Sequence, residues 1–302
     1  MSGASSWVAI GSGLGAALCF GTGDYLAQRL THRHGAIPAM FAVQLASALV
    51  LGLLALAWHG LPRAAPQLWL GVAGIGLVNT LGMIGLYRAF ESGKLSLVSP
   101  IAGSMGAFTV GFAWLAGQPP PGVVIPGLLA VVLGIVIASV VDDPARAGAA
   151  KLGRALGVGW ALLSALGFGW VFFVLGPRSV ALGPAWTIWV LRLVAIASLI
   201  ALARPMRTRL AAALRPEPEQ ASSRGRTLVV ACLDSAGMVI FAWGSSRGVI
   251  AGEVAIVAVL TSSFPLVTIA LARVWLRERL RWWQWLGVAA VLGGVAWVSA
   301  YA

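Results

Sequence analysis

Residues 38–58, PAMFAVQLASALVLGLLALAW, run for twenty-one positions without a charged side chain. A helix needs about 20 mostly apolar residues to cross the hydrocarbon core of a bilayer. Working outward, nine further stretches are mostly apolar over a similar length, at about 7–27, 68–90, 95–116, 123–141, 155–175, 185–203, 227–247, 252–274 and 282–301. They nearly fill the 302 residues and leave no room for a soluble domain. The fold expected is all-α and integral to the membrane, with ten transmembrane helices.

Composition requires the same solvent. The hydrophobic fraction is 59%, the charged fraction 10% and the mean hydropathy +0.91, whereas a soluble domain carries about 25% charged residues. The 38 glycines suit membrane helices, where small residues let backbones approach closely. Trp58, Trp69, Trp114, Trp186, Trp275 and Trp282 stand at the ends of apolar runs, where indole rings are expected in the headgroup region. The first stretch follows MSGASSW, which has no basic residue, and reads as a retained span rather than a signal peptide.

The breaks between spans carry turn chemistry: His32-Arg33-His34-Gly35, Pro62 and Pro66, Gln118-Pro119-Pro120-Pro121-Gly122, Asp142-Asp143-Pro144, and a long loop from Arg204 to Arg226. The net charge of +12 lies in these loops and implies no nucleic acid partner. Loops after odd-numbered spans hold Arg29, Arg33, Lys94, Arg146, Lys151, Arg154, six Arg between 204 and 226 and four between 273 and 281. The opposite loops hold only Arg63, Arg178 and Arg247. This bias places the odd loops in the cytoplasm, both termini on the periplasmic or extracellular side, and the chain in the inner (plasma) membrane.

The chain also repeats itself. Gly82-Met83 and Gly93 recur as Gly237-Met238 and Gly248. On that register Asn79 matches Asp234, Thr109 matches Thr268, and Gly127 and Gly134 match Gly287 and Gly294. The chain divides into a first five-helix repeat over 1–141, a linker over 142–154 and a second repeat over 155–302. Five spans per copy is an odd number, so the second copy is inverted, as in many secondary transporters.

Arg277-Glu278-Arg279-Leu280, followed by Trp285-Leu286-Gly287 and Gly293-Gly294-Val295, resembles the end of an EamA-type repeat, and Ser263-Phe264-Pro265-Leu266-Val267-Thr268 fits the same pattern. Weaker counterparts are Tyr87-Arg88-Ala89-Phe90, Val98-Ser99-Pro100-Ile101 and Thr109. The chain thus resembles the drug/metabolite transporter superfamily over nearly its whole length. The resemblance implies ten helices around a central cavity, alternating access, and traffic in small metabolites such as amino acids, often outward. The chain departs from the pattern where Gly106 replaces the mate of Pro265 and Gln118 that of Glu278.

Ionisable residues within spans are functional candidates by default. Asp234, in the eighth span, fits a proton-coupling or substrate-amine site, or a structural ion pair. Arg192, in the seventh, offers a planar fork for a substrate carboxylate or a partner for Asp234. If the two pair, Asp234 stays ionised and is a poor proton carrier. Asp24 follows Gly21-Thr22-Gly23 and either faces a cavity or reaches water or Arg29. Asn79 binds a ligand or glues helices. Pro100 and Pro265 break helical hydrogen bonding near Ser104, Thr261, Ser262 and Ser263, so these positions line a site or mark kinks. Trp170 and Trp243 form cavity walls or core packing, and Arg88 with Glu91 reads as a surface pair.

No Walker-type phosphate loop is present, and no cofactor is implied. Cys19 and Cys232 sit inside spans with no ligand cluster, so neither a disulfide nor a metal site is expected. An integral-membrane enzyme or flippase acting on a lipid-linked substrate is the competing reading. His32, His34 and His59 are the only histidines, His32 and His34 fall beside Arg33 with no acidic residue close in sequence, and Asp142-Asp143 ahead of Pro144 looks like a span terminator. The chain is therefore expected not to be an enzyme. The partners expected are a small-molecule substrate, the lipid bilayer and, through glycine-rich faces, a second copy in a homodimer.

Overall fold

The computed structural model describes residues 3–60, 62, 64–117, 122–139, 149–202, 220–247, 260–261, 263–277 and 281–301. Gln118 to Pro121, Asp142 to Pro144, most of the loop between 204 and 226, residues 252–259, Gly248, Ser262 and Glu278 lie outside them. The described elements are helical: α1 (Gly3–His34), α2 (Ala36–His59), α3 (Pro66–Ser92), α4 (Leu95–Gly103), α5 (Met105–Leu115), a 3-10 turn (Gly122–Val124), α6 (Ile125–Ser139), α7 (Ala149–Leu182), α8 (Pro184–Leu202), α9 (Gln220–Arg247), α10 (Phe264–Trp275) and α11 (Trp282–Tyr301). Nine of the stretches expected to span fall on described helices, the fourth on α4 and α5 together, and the ninth is described only in part, as α10. Among the described residues five stretches are long and apolar enough to cross a membrane: Ala36–Ala57, Pro66–Ser92, Leu95–Leu115, Ala155–Val174 and Pro184–Leu202.

Local chemistry sets the boundaries. Gly35 and Gly183 precede α2 and α8, and each has φ of 83°, a backbone that glycine adopts without steric cost. Pro66 opens α3, where a missing N–H costs nothing, and Gly93 closes it by donating to the Ala89 carbonyl at 2.8 Å. The fourth span is broken at Ser104, whose hydroxyl donates back to the Ile101 carbonyl at 2.6 Å. Ser263 does the same to Leu260 at 2.5 Å. The mates in the two halves are therefore the serines. Pro265 sits in the first turn of α10, a tolerated place, and Pro100 lies inside α4, so neither proline marks the break itself.

The helices of the two halves interdigitate reciprocally. α3 packs along α7, and α9 along α1; α3 meets α8, and α9 meets α2; α4 and α5 meet α7, and α10 meets α1. α2 with α8, α4 with α10, and α6 with α11 pack across the midline. Atomic detail follows the same exchange. A Cβ on Gly134 would lie 2.7 Å from the Gly287 carbonyl oxygen, and one on Gly294 2.6 Å from that of Gly127. Thr109 donates to the Gly169 carbonyl at 3.0 Å, and Thr268 to that of Gly21 at 3.2 Å.

One tryptophan differs from expectation. Trp186 is buried, donates to the Gly60 carbonyl at 3.0 Å and stacks edge-on against Trp69 and Trp189. The end of an apolar run here is a packing corner rather than a headgroup anchor. Trp114, Trp275 and Trp282 are exposed.

Candidate functional site

The interdigitation leaves a cavity of about 110 Å³ between the halves. Helical periodicity selects its walls. On α1 the lining positions are Phe20, Gly23, Asp24 and Ala27; on α3 they include Asn79, Met83 and Tyr87; on α9 they are Val230, Asp234 and Met238. Arg192 enters from α8, and Phe168, Val171 and Phe172 from α7. The sequence candidates Asp24, Asn79, Arg192 and Asp234 thus converge on one space.

Arg192 is paired with Asp234 by a hydrogen-bonded salt bridge through Nη2. Its Nη1 donates to Gln44 Oε1 at 3.0 Å. The Arg192 side chain is 3% exposed and that of Asp234 25%, so the pair forms with the guanidinium deep and the carboxylate at the cavity wall. This is the structural partnership that the sequence left open against carboxylate binding. Burying a charge demands a partner, and Asp234 supplies it.

Asp24 is different. Among the described residues it makes no hydrogen bond and no ion pair. Arg29 does not serve it: Arg29 Nη1 donates to the Tyr25 hydroxyl at 3.1 Å and its guanidinium lies over that ring. Five residues apart, Asp24 and Arg29 fall on different faces of α1. Asn79 is 5% exposed, and its Nδ2 finds no acceptor. Gln44 Nε2 and Arg192 Nε are likewise buried without one. The remaining wall is largely aromatic, with Phe20, Tyr87, Phe90, Phe168, Phe172 and Phe264.

Other sequence candidates stand apart. Trp170 packs half-buried against the cluster around Val72, Ile75 and Leu191, because Phe168, Val171 and Phe172 occupy the cavity face of α7. Trp243 is 44% exposed and lies on α9 away from the stripe through Asp234 and Met238. Ser104 is buried and spends its hydroxyl on its own helix. Pro265 is buried beside Gly103, while its neighbour Phe264 reaches the cavity. Ser262 lies outside the described residues. Arg88 and Glu91 form the expected exposed pair at 3.0 Å.

Sequence reasoning missed Gln44 and the aromatic wall. Gln44 was visible as the one amide in an otherwise apolar stretch, 148 residues from Arg192. That spacing also relates Gly35 to Gly183 and Gly21 to Gly169, so Gln44 and Arg192 are mates in the two halves.

Comparison with known proteins agrees with this architecture. A solved structure titled "Crystal structure of protein" superposes with a TM-score of 0.59, at 19% identity, over 96% of each chain, and so shares the fold. No match was found among curated proteins. The EamA-like transporter family matches twice, over residues 7–140 and 155–300, one match per half. The chain belongs to the EamA-like transporter family and is a multi-pass membrane protein.

Proposed function

We propose that the chain is a secondary transporter that moves small organic metabolites, amino acids among them, out of the cell by alternating access. The observation that carries this reading is the cavity between the halves, where Asp24, Asn79, Arg192 and Asp234 meet. A site at a repeat interface that both halves line is the arrangement in which rocking of one half against the other exposes a bound solute to either side. Ten spans in two inverted sets of five supply that geometry. The loop charges argue for an inner-membrane protein with cytoplasmic odd loops, and a reporter fused at Ala302 is then expected to read periplasmic.

Liposomes test the function. Purified protein is reconstituted beside empty vesicles, loaded with a panel of amino acids, nucleosides, sugars and organic cations, and the efflux is quantified by mass spectrometry with and without a proton gradient. Selective movement of one class is the expected result. No movement under either condition sinks the reading and turns attention to lipid-linked substrates.

A further inference from the structure

A second recess lies apart from the central cavity, at the end of the molecule that the loop charges assign to the cytoplasm. It measures about 320 Å³ and is lined by Gln28, Arg29 and His32 of α1 and by Leu276, which caps α10. The chain from Thr261 onward runs parallel to α1, since Thr261 donates to the Gly13 carbonyl at 3.5 Å and Thr268 to that of Gly21 at 3.2 Å. Both helices therefore end at the same side, and the recess sits between their last turns.

Its walls are donors. Arg29 and His32 are exposed, and among the described residues neither meets a carboxylate. Arg29 spends one nitrogen on the Tyr25 hydroxyl at 3.1 Å and keeps its other N–H groups free. His32 offers an imidazole N–H in any protonation state. Gln28 is buried, and its amide makes no hydrogen bond among the described residues. Its Oε1 is enclosed, which leaves Nε2 as the group turned to the recess. Helix C-termini attract basic side chains by themselves. That accounts for Arg29 and His32, but not for a recess between them that ends on a buried, unpartnered amide. A guanidinium, an imidazole and an amide N–H converging on one space suit a phosphate.

The surroundings belong to the membrane interface. Tyr25 stacks on Trp275 at 5.7 Å, below Arg29, and Trp275 is exposed, as are Leu266 and Val274 on α10. Tryptophan and tyrosine favour headgroup depth, and Leu266 and Val274, eight residues apart, share a face that leads from the recess along α10. Arg273 and Arg281 lie over the rings of Trp285 and Trp283 at the same end, so a headgroup carrying an ammonium meets like charge there.

We propose that this recess holds the phosphate of an anionic phospholipid, with Arg29 and His32 on its oxygens, Gln28 donating from the buried side, and the acyl chains along Leu266, Val274 and Trp275. Basic pockets between helices on the cytoplasmic side are suited to anionic headgroups. The site is independent of the solute that the central cavity takes.

Native mass spectrometry tests it, on full-length protein released from nanodiscs of equal phosphatidylglycerol and phosphatidylcholine. One phosphatidylglycerol is expected to stay bound per chain, about tenfold over phosphatidylcholine, as charge-assisted hydrogen bonds allow. Arg29→Gln with His32→Gln should remove that preference, and Gln28→Leu should weaken it several-fold. Arg88→Gln, at the exposed end of α3 on the same side, should leave it intact. The double variant alters only exposed side chains, and its unfolding midpoint in detergent checks that it folds; it carries the test if Gln28→Leu does not fold. Glycerol 3-phosphate, which has the phosphate and no chains, should fail to displace the lipid.

Equal retention of the two lipids overturns the proposal. So does a loss of preference in Arg88→Gln as complete as in the double variant, which would mean diffuse attraction by the basic face. Displacement by glycerol 3-phosphate at equal concentration also overturns it and makes the recess a site for a free phosphate.

Discussion

The first half of the molecule meets the midline with two amides, Gln44 on α2 and Asn79 on α3. The second half meets it with Arg192 on α8 and Asp234 on α9. These are mate positions in the two repeats. The charged pair is bonded, and Gln44 is drawn into it as an acceptor. The amide pair leaves Gln44 Nε2 and Asn79 Nδ2 without acceptors. Since one half folds with neutral groups at these positions, the fold itself does not demand a salt bridge there. A second mate pair says the same: Asp24 on α1 corresponds to Phe172 on α7, and both line the cavity. The repeat supplies symmetric walls, and the two copies have filled them with different chemistry, placing all three charges on α1, α8 and α9.

The largest expected effect comes from breaking one half of the charged pair. Asp234→Asn leaves the Arg192 guanidinium buried without a counter-charge, and the loss of stability should be about 3 kcal/mol. Adding Arg192→Gln converts the second half to the Gln/Asn pair of the first. That double variant is expected to recover most of the stability while transport stays lost. Thermal unfolding in detergent, followed by tryptophan fluorescence, reads the first quantity, and vesicle efflux the second. A double variant as unstable as Asp234→Asn alone would show that the ion pair is a requirement of the fold after all.

Next in size is the seam between α6 and α11, where the two halves meet through matching glycines. Gly134 and Gly294 each pack a Cα against backbone of the opposite helix, with space for a Cβ closed off at 2.7 and 2.6 Å. Backbone cannot move aside as a side-chain tip can. Gly134→Val and Gly294→Val should each cost about 2 kcal/mol by overpacking. Equal shifts in unfolding midpoint are expected. A clear inequality would show that the seam is less symmetric in energy than in geometry.

What the sequence disclosed follows the physical scale of each signal. Span positions were legible because about 20 apolar residues in a row have few other uses. Asp24, Asn79, Arg192 and Asp234 were legible because polar groups in such runs are conspicuous, and all four reached one cavity. The pairing of Gln44 with Arg192 was not, since the register was set on glycines of the third to fifth spans, whereas the first two spans of each half are offset by 148 residues. A difference in loop length hid the mate. Trp170 and Trp243 were indistinguishable in sequence from cavity aromatics, because which side of a helix faces the partner half is decided by packing. Serine rather than proline marks the span breaks, where hydroxyl and backbone N–H of one residue both bond back to the carbonyl three residues earlier; the sequence shows both residue types and does not rank them.

The smallest expected effect sharpens the comparison most. Thr109 on α5 donates to Gly169 on α7, and Thr268 on α10 donates to Gly21 on α1. Each bond crosses from one half to the other, and each hydroxyl also bonds within its own helix, to Met105 at 3.0 Å and to Phe264 at 3.2 Å. Valine keeps the shape and removes the hydroxyl. Interhelical hydrogen bonds in membranes are worth about 0.6 kcal/mol on average, so Thr109→Val and Thr268→Val should each lower the unfolding midpoint by only a degree or two. Their effect on transport rate separates two pictures. If α5 with α7 and α10 with α1 move as rigid pairs, both variants leave efflux unchanged. If one seam opens during transport, removing its bond speeds or slows efflux while its mate does nothing, and that difference identifies the seam along which the halves part.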